Sequence, residues 1–391
     1  MKVKLKDIFD LQMGKTPSRN NPSYWGGENK WVSIADIGKV SKYIGETKEN
    51  ITDAGVSESG IKKVPQNTVI MSFKLSIGKT AITTENMYTN EAIMAFIDKK
   101  VYPLDTNYFY HLCSGRDWSA GTNKAVMGLT LNKATLSEIE IELPPIDKQK
   151  SVAFKLDFVD SLITARREQL AKLDELVKSR FVELFGDPFN NKKWDTQKLR
   201  DISVSISDGS NVDKAYYKEK GDVLFLRIQN VWFDEFRLDD SVYISDDVNN
   251  EYLDTSLHHG DLLITKIGRY YTKDSSLGRV SVYLGEDDKA NYSNNIMRVR
   301  LTDEVCSEFV NELMNLDDYN RYIREVSVGG TDKRALSKAI IGDLPIIMPP
   351  KELQIEFLEF VKQTDKSKFE IQQSLEKLET LKKALMQKYF G

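Results

Sequence analysis

Several loops of this chain carry cations, amides and aromatic rings at short spacing. In the N-terminal half, Lys15, Arg19 and Lys30 lie in GKTPSRNNPSYWGGENKW (14–31). Lys74 and Lys79 lie in FKLSIGKT (73–80), and Arg116 and Lys124 in SGRDWSAGTNKAVMG (114–128). In the C-terminal half, Arg227, Gln229 and Asn230 lie in LRIQNVWF (226–233). Lys266, Arg269, Tyr270, Lys273 and Arg279 lie in TKIGRYYTKDSSLGR (265–279), and Lys333 and Arg334 in SVGGTDKRALS (327–337). Arg, Lys, Asn and Gln read base edges through paired hydrogen bonds. The same groups, with Tyr and loop amides, anchor phosphates. These residues are the candidate contacts to double-stranded DNA, and a solvated loop is the alternative for each. Lys74 with Lys266, and Lys79 with Arg279, stand at matching places in the two halves.

Bond-making chemistry is scarce by comparison. GDPFNN (186–191) follows a helical run and has no glycine-rich cofactor loop before it. It reads as a helix cap and linker, with Gly at C′ and Pro as a stop. SIGKT (76–80) ends like a phosphate-binding loop but lacks the first Gly at the required spacing. SDG (207–209), LGEDD (284–288) and His258-His259 before Gly260-Asp261 read as turns. Two cysteines and three histidines leave little material for a metal site. No catalytic residue, cofactor site or metal site is expected.

The elements that position these loops repeat. ELPPIDKQ (142–149) and IMPPKELQ (347–354) align at an offset of 205, as do Leu131 with Leu336, Ile139 with Leu344, and Phe185-Gly186 with Phe390-Gly391. LKDI (5–8) aligns with LRDI (199–202) at 194, so the second half carries extra residues. A period near 200 marks a domain duplication. Strands are expected at VIMSF, TAIT, AIMAF and EIEIEL in the first half. The second half offers DVLFLRI, DLLITKI, RVSVYL, NIMRVRL and LPIIM.

After each Pro-Pro pair comes a long amphipathic run. Val152, Leu156, Val159, Ile163, Arg166, Leu170, Leu173, Val177, Arg180 and Leu184 step by 4 and 3. Adding 205 gives Phe357, Val361, Thr364, Lys368, Ile371, Leu375, Leu378, Lys382, Leu385 and Tyr389. This is an a/d seam, which Leu162, Leu176, Leu358 and Leu381 are expected to widen. The seam charges Arg166, Arg180, Lys368 and Lys382 are expected to fix register. Each helix is roughly 38 residues, or about 57 Å. Chain order makes the pair antiparallel, with one globular domain expected at each end of a stiff spacer. The fold class is α+β: two similar mixed α/β domains separated by two long antiparallel coiled-coil helices with a pseudo-two-fold. The expected boundaries are 1–146, 147–186, 187–350 and 351–391.

Composition bounds the rest. The chain has 391 residues, 40% of them apolar, and a formal net charge of −4. Any DNA surface is therefore a local patch and not a general coat. No apolar run is long enough to span a bilayer, and MKVKLKDIFDLQMG has no apolar signal core, which points to the cytoplasm.

LSEIEIELPPIDKQ, LDELVKSRFVELFGDP, AIIGDLPIIMPPKELQ and LETLKKALMQKYFG, in this order and spacing, resemble the DNA specificity subunit of type I restriction-modification systems. The resemblance covers the whole chain and rests on order, duplication and spacing. It implies two target recognition domains, each reading one half of a split, asymmetric DNA site, with spacer helices setting the gap. It also implies partners: two modification subunits that hold S-adenosylmethionine and methylate adenine, and restriction subunits that use ATP and Mg. The chain itself would be non-catalytic. A coiled-coil scaffold with two ligand-binding domains is the rival from another class, and a fused methyltransferase or nuclease a third.

Overall fold

The structure is a computed structural model, and it describes residues 1–74, 76–118, 131–190, 193–272 and 274–391. Lys124 and Lys273 lie outside the described residues. The chain divides into two compact units, Met1–Glu168 with Gln372–Gly391, and Gln169–Ile371. Each unit contains one globular part and one half of each long helix.

The first unit is built on a sheet of Phe9–Met13, Ile93–Asp98, Val69–Ser72, Thr80–Thr83 and Tyr43–Ile44, in that order. A smaller sheet runs Glu49–Ile51, Trp25–Val32, Tyr88–Thr89, and Lys2–Lys4 pairs with Glu140–Glu142. The second unit repeats the plan with Ser203–Asp208, Ile296–Leu301, Leu262–Thr265 and Val280–Val282. Its smaller sheet is Val242–Ile244, Val223–Leu226, Ala290–Tyr292, and Thr196–Lys198 pairs with Pro345–Ile347. Ile267–Arg269, Lys333–Ala335 and Val328–Gly329 form a further three-stranded sheet there. Every strand expected from the alternating runs is present. Three stretches read as loops also carry strands: Trp25–Val32 in the first, Ile267–Arg269 in the second, and Val328–Gly329 with Lys333–Ala335 in the third.

Hydrogen bonds show how closely the frames agree. Leu5 N–H donates to Ile139 O, and Leu199 N–H to Leu344 O, both at 2.9 Å. Lys15 N–H donates to Thr89 O at 2.8 Å, and Ser210 N–H to Tyr292 O at 2.9 Å. Val69–Ser72, Thr80–Thr83, Leu262–Thr265 and Val280–Val282 are buried on both faces, because helices and the smaller sheet cover them. Phe9, Phe96 and Phe109 fill the first core; Phe181, Phe185, Phe309 and Phe357 fill the second.

The repeated Pro-Pro turn has a physical cause. The long helices are Ile146–Phe185 and Lys351–Phe390, 40 residues each. Pro145 O accepts from the N–H groups of Lys148 (2.9 Å) and Gln149 (3.0 Å), and Pro350 O from those of Leu353 (3.0 Å) and Gln354 (3.2 Å). A proline before the first turn sacrifices no helical donor. Gln149 and Gln354 are both fully buried. Gln149 Nε2 donates to Pro144 O (2.8 Å) and Pro103 O (3.1 Å), and its Oε1 accepts from Asp105 N–H at 3.0 Å. Gln354 Nε2 donates to Pro349 O at 2.8 Å, and its Oε1 accepts from Cys306 N–H at 2.9 Å. One buried amide thus ties the globular part, the turn and the helix together in each copy.

Within each unit the two helix halves run antiparallel. In the first, Asp160 meets Lys382 (2.6 Å) and Arg167 meets Glu379 (2.7 Å). In the second, Asp174 meets Lys368 (2.8 Å) and Arg180 meets Glu356 (3.5 Å). Val152, Leu156, Val159, Ile163 and Val177 are buried on one helix, and Phe357, Val361, Thr364 and Leu375 on the other. Leu176 and Leu381 do not widen the seam. They are 48% and 45% exposed, one step of about 100° around the helix from the seam position that follows each. Phe181 and Phe185, which the heptad left out, are fully buried because the last turns of that helix pack on Phe309 and Phe357. Gly186, at φ +78°, ends the helix in the left-handed conformation as expected, with its N–H on Val182 O at 2.8 Å.

Candidate nucleic-acid interface

In the first unit, one basic and aromatic group is pre-arranged. The Arg19 guanidinium lies 3.7 Å from the Trp25 ring centre and 5.2 Å from Trp31. Glu49 fixes it from the side, accepting at 2.6 and 2.9 Å. That bond holds the Glu49 carboxyl below its usual range. Trp31 Nε1 donates to Lys15 O at 3.0 Å, and Trp25 Nε1 to Ser18 O at 3.2 Å. The rings thereby lock the loop that exposes Lys15. A stacked, forked guanidinium of this kind suits planar recognition of a base or a phosphate. Lys79 is exposed, and Lys74 is half-buried with its ammonium 5.3 Å from the Phe73 ring centre.

Two other cations of this unit are internal clasps. Lys30 donates to Gly45 O (2.5 Å), Glu85 (2.7 Å) and Glu46 (3.1 Å). Arg116 donates to Glu140 O at 3.2 Å and sits 5.6 Å from the Trp118 ring centre.

The second unit gathers its candidates on the extra three-stranded sheet. Arg269 stands opposite Lys333 in the ladder, and Gly268 opposite Arg334. The Arg334 guanidinium lies 4.0 Å over Tyr270, whose ring meets Tyr271 edge-on at 4.9 Å. Tyr271 is 77% exposed. Arg269 is tied only loosely to Asp332, at 3.8 Å, and Lys333 carries no ion pair among the described residues. A cleft of about 600 Å³ lies beside them, lined by Ile228, Arg269, Ser276, Asn295 and Lys333.

Other candidates turn inward. Arg227, Gln229 and Asn230 converge on one carboxylate: Asp240 meets Arg227 Nη2 at 3.2 Å, Gln229 Nε2 at 3.2 Å and Asn230 Nδ2 at 2.9 Å. Asn230 is fully buried with its amide engaged, so it clamps its own loop, while Gln229 stays exposed beside it. Arg279 is 4% exposed. It donates to Ser275 O (2.9 Å), Asp274 O (2.6 Å) and Val231 O (3.3 Å) and stacks on Trp232 at 3.7 Å. Burial lowers its pKa, which fits a structural cation that organises a loop. The Lys266 ammonium is bound to Asp208.

Backbone bonds also correct one pairing. Ser72 N–H donates to Lys79 O (2.8 Å), and Thr265 N–H to Arg279 O (3.0 Å), so Lys79 and Arg279 do match. Phe73 N–H bonds Ala92 O and its carbonyl accepts from Leu131; Lys266 N–H bonds Asn295 O and its carbonyl accepts from Leu336. Lys266 therefore matches Phe73, and Lys74 matches Ile267. A one-residue slip on a strand reverses the side-chain face.

Sequence reasoning missed Trp25, Trp31, Tyr271 and Glu49. Arg19 six residues before a Trp was the available signal. The turn reading at His258 and the helix-cap-and-linker reading at Gly186–Asp187 agree with the structure: Asp261 N–H donates to His258 O at 3.0 Å, and Asp187 accepts from the N–H groups of Phe189 and Asn190. No helix among the described residues is long and apolar enough to cross a membrane.

Known proteins agree with this plan. Residues 1–175 match the family model described as the type I restriction modification DNA specificity domain. The chain is 28% identical to the type I restriction enzyme MjaIX specificity subunit of Methanocaldococcus jannaschii. That alignment covers 58% of this chain and 57% of the relative, a little over half its length. It is 22% identical to the MjaVIII specificity subunit of the same organism, over 98% of this chain and 90% of the relative. The fold resembles the crystal structure of a type I restriction-modification S subunit from M. genitalium. The TM-score is 0.56 at 13% identity, over 100% of this chain and 96% of that one. It also resembles a chain from a structure of the assembly and conformational transition of the type I R-M system. There the TM-score is 0.62 at 16% identity, over 100% of this chain and 97% of that one. Residues 1–175 of this chain carry the type I restriction modification DNA specificity domain.

Proposed function

We propose that this chain is a sequence-specific DNA-binding specificity subunit that reads a bipartite, asymmetric target. One observation carries the reading: a single hydrogen-bonded frame occurs twice, and each copy presents a different set of basic and aromatic side chains. Like frames with unlike loops suit two unlike half-sites. Arg19 with Trp25 serves one, and Arg269, Lys333, Arg334 and Tyr270 serve the other. Residues 1–146 and 187–350 act as the recognition domains, and 147–186 and 351–391 as the spacer that sets the gap between half-sites. The chain acts in the cytoplasm and is non-catalytic. Modification subunits supply S-adenosylmethionine and adenine methylation, and restriction subunits supply translocation and cleavage with ATP and Mg.

The test compares genome-wide adenine methylation in a host carrying the chain and in a deletion. The expected result is one split, non-palindromic adenine motif that disappears on deletion; an unchanged methylation pattern overturns the reading. In vitro, Arg269→Ala with Lys333→Ala is expected to weaken one half-site only. Its log K against log salt slope is expected to fall by about one per lost phosphate contact.

A further inference from the structure

The two units place opposite charges at one position. His111 lies six residues past Asp105, the cap of helix Thr106–Gly115, and Asp157 lies eight past Gln149. The same counts from Cys306 and Gln354 reach Glu312 and Lys362. In the first unit the position is closed. Asp157 Oδ1 meets His111 Nε2 at 2.7 Å and Lys42 Nζ at 2.5 Å, and Lys42 comes from the sheet edge beside Thr80–Thr83. In the second unit the matching edge carries Asp234, whose N–H donates to Val280 O at 3.0 Å.

Among the described residues, no cation forms an ion pair with Asp234 or Glu312 in this second site. The Asp234 carboxylate accepts from buried Asn311, and Glu312 makes no hydrogen bond or ion pair among the described residues. Lys368 is engaged with Asp174 at 2.8 Å and Asp365 at 3.3 Å. A cavity of about 580 Å³ opens instead, with Asp234, Glu312 and Asp365 on its wall. Leu226, Phe236, Leu284 and Leu358 line the rest. Glu308 and Glu235 add acid, Glu235 being paired with Arg237 at 2.6 Å, and Lys362 is the cation among the described lining residues. Burial, then Asp234 and Asp365, push Glu312 up to about 8; burial pushes Asp234 up to about 6. An acidic cavity repels DNA phosphate, so this is no part of the nucleic-acid face. Its volume and apolar wall are those of a small-molecule site.

We propose that this cavity binds a small organic cation: an apolar body bearing one ammonium or guanidinium group. The head meets Glu312, Asp234 and Asp365, as Lys42 meets Asp157 in the first unit. The body lies on Leu226, Phe236, Leu284 and Leu358. The inference is independent of DNA reading.

Titration calorimetry of the full chain with n-hexylammonium chloride tests it, with n-hexanol and hexanoate as controls. The expected result is saturable one-site binding of the ammonium, weaker binding of hexanol and none of hexanoate. At pH 9, where the Glu312 carboxyl is ionised and hexylammonium keeps its charge, Glu312→Gln is expected to weaken the ammonium about ten-fold or more by removing a charged acceptor. Leu358→Trp, which fills the cavity, is expected to abolish binding. Lack of saturation, hexanol binding as tightly as the ammonium, or full affinity in Glu312→Gln each overturns the proposal. If Glu312→Gln does not fold, the ammonium-against-hexanol comparison on the unaltered chain decides alone.

Discussion

Where the first unit holds a carboxylate between two basic groups, the second holds carboxylates beside an open cavity. Asp157 answers Lys42 and His111; Glu312 has no hydrogen-bond or ion-pair partner among the described residues, and its neighbours Asp234 and Asp365 are acidic too. The backbone around both places is nevertheless the same. A duplicated frame is held by buried main-chain bonds and by the Gln149 and Gln354 amides, so side-chain charge is free to invert without changing the fold.

The largest expected effect tests the shared frame. Gln149→Ala strands the Asp105 N–H and two proline carbonyls, and is expected to destabilise its unit by about 3 kcal/mol; Gln354→Ala is expected to cost about 2 kcal/mol. Amide exchange resolved by unit measures both. A change that leaves exchange unaltered in either unit breaks the equivalence.

Next comes Asp157→Asn, expected to cost the first unit about 2 kcal/mol. That is less than a fully buried pair loses, because the side chain is 35% exposed. Glu312→Gln, by contrast, is expected to stabilise the second unit at alkaline pH. The signs follow from linkage. Burial opposes ionisation of Asp157, but the bonds from His111 and Lys42 hold its carboxyl below the usual range. Its contribution is present above the unfolded pKa and lost as pH falls through the folded one. Glu312, at about 8 when folded, keeps a proton that the unfolded chain has released. Stability of the second unit therefore falls as pH rises from about 4.3 towards 8. Urea unfolding of the parent and Glu312→Gln across that range is expected to show a steeper slope in the parent, with buried Asp234 leaving a smaller one in the variant.

The smallest effect belongs to the helix seam. Lys368→Ala removes partly exposed ion pairs to Asp174 and Asp365, Lys382→Ala removes one to Asp160, and each is expected to cost about 0.5 kcal/mol in thermal unfolding. A loss several times larger would make these pairs, and not the apolar seam, the main bond between helix halves.

Much of this architecture was legible in sequence because its signals are local or periodic. The strand runs, the Pro-Pro starts, the seam positions and the glycine stop all depend on neighbours within a few residues. The strand Trp25–Val32 was hidden by Gly26 and Gly27. Gly26 sits at φ +84°, and a Cβ on Gly27 would meet the Ile51 carbonyl oxygen at 2.5 Å, so the chain needs glycine where a strand pattern needs side chains. The candidate interface was read less well. Asn230 and Arg279 carry the right groups for DNA, yet Asp240 and three carbonyls claim them through contacts that no spacing reveals. The exchange of a basic side chain at His111 for an acidic one at Glu312 was invisible until hydrogen bonds gave the alignment across the two units.

The division of the long helices between units governs the order of assembly during synthesis. The unit formed by Gln169–Ile371 is one unbroken stretch and can close as soon as it leaves the ribosome. The other must wait for Gln372–Gly391, made about two hundred residues after Glu168. Until then the apolar surface that later receives Leu385, Met386, Tyr389 and Phe390 stays bare. The portion translated first is thus finished last.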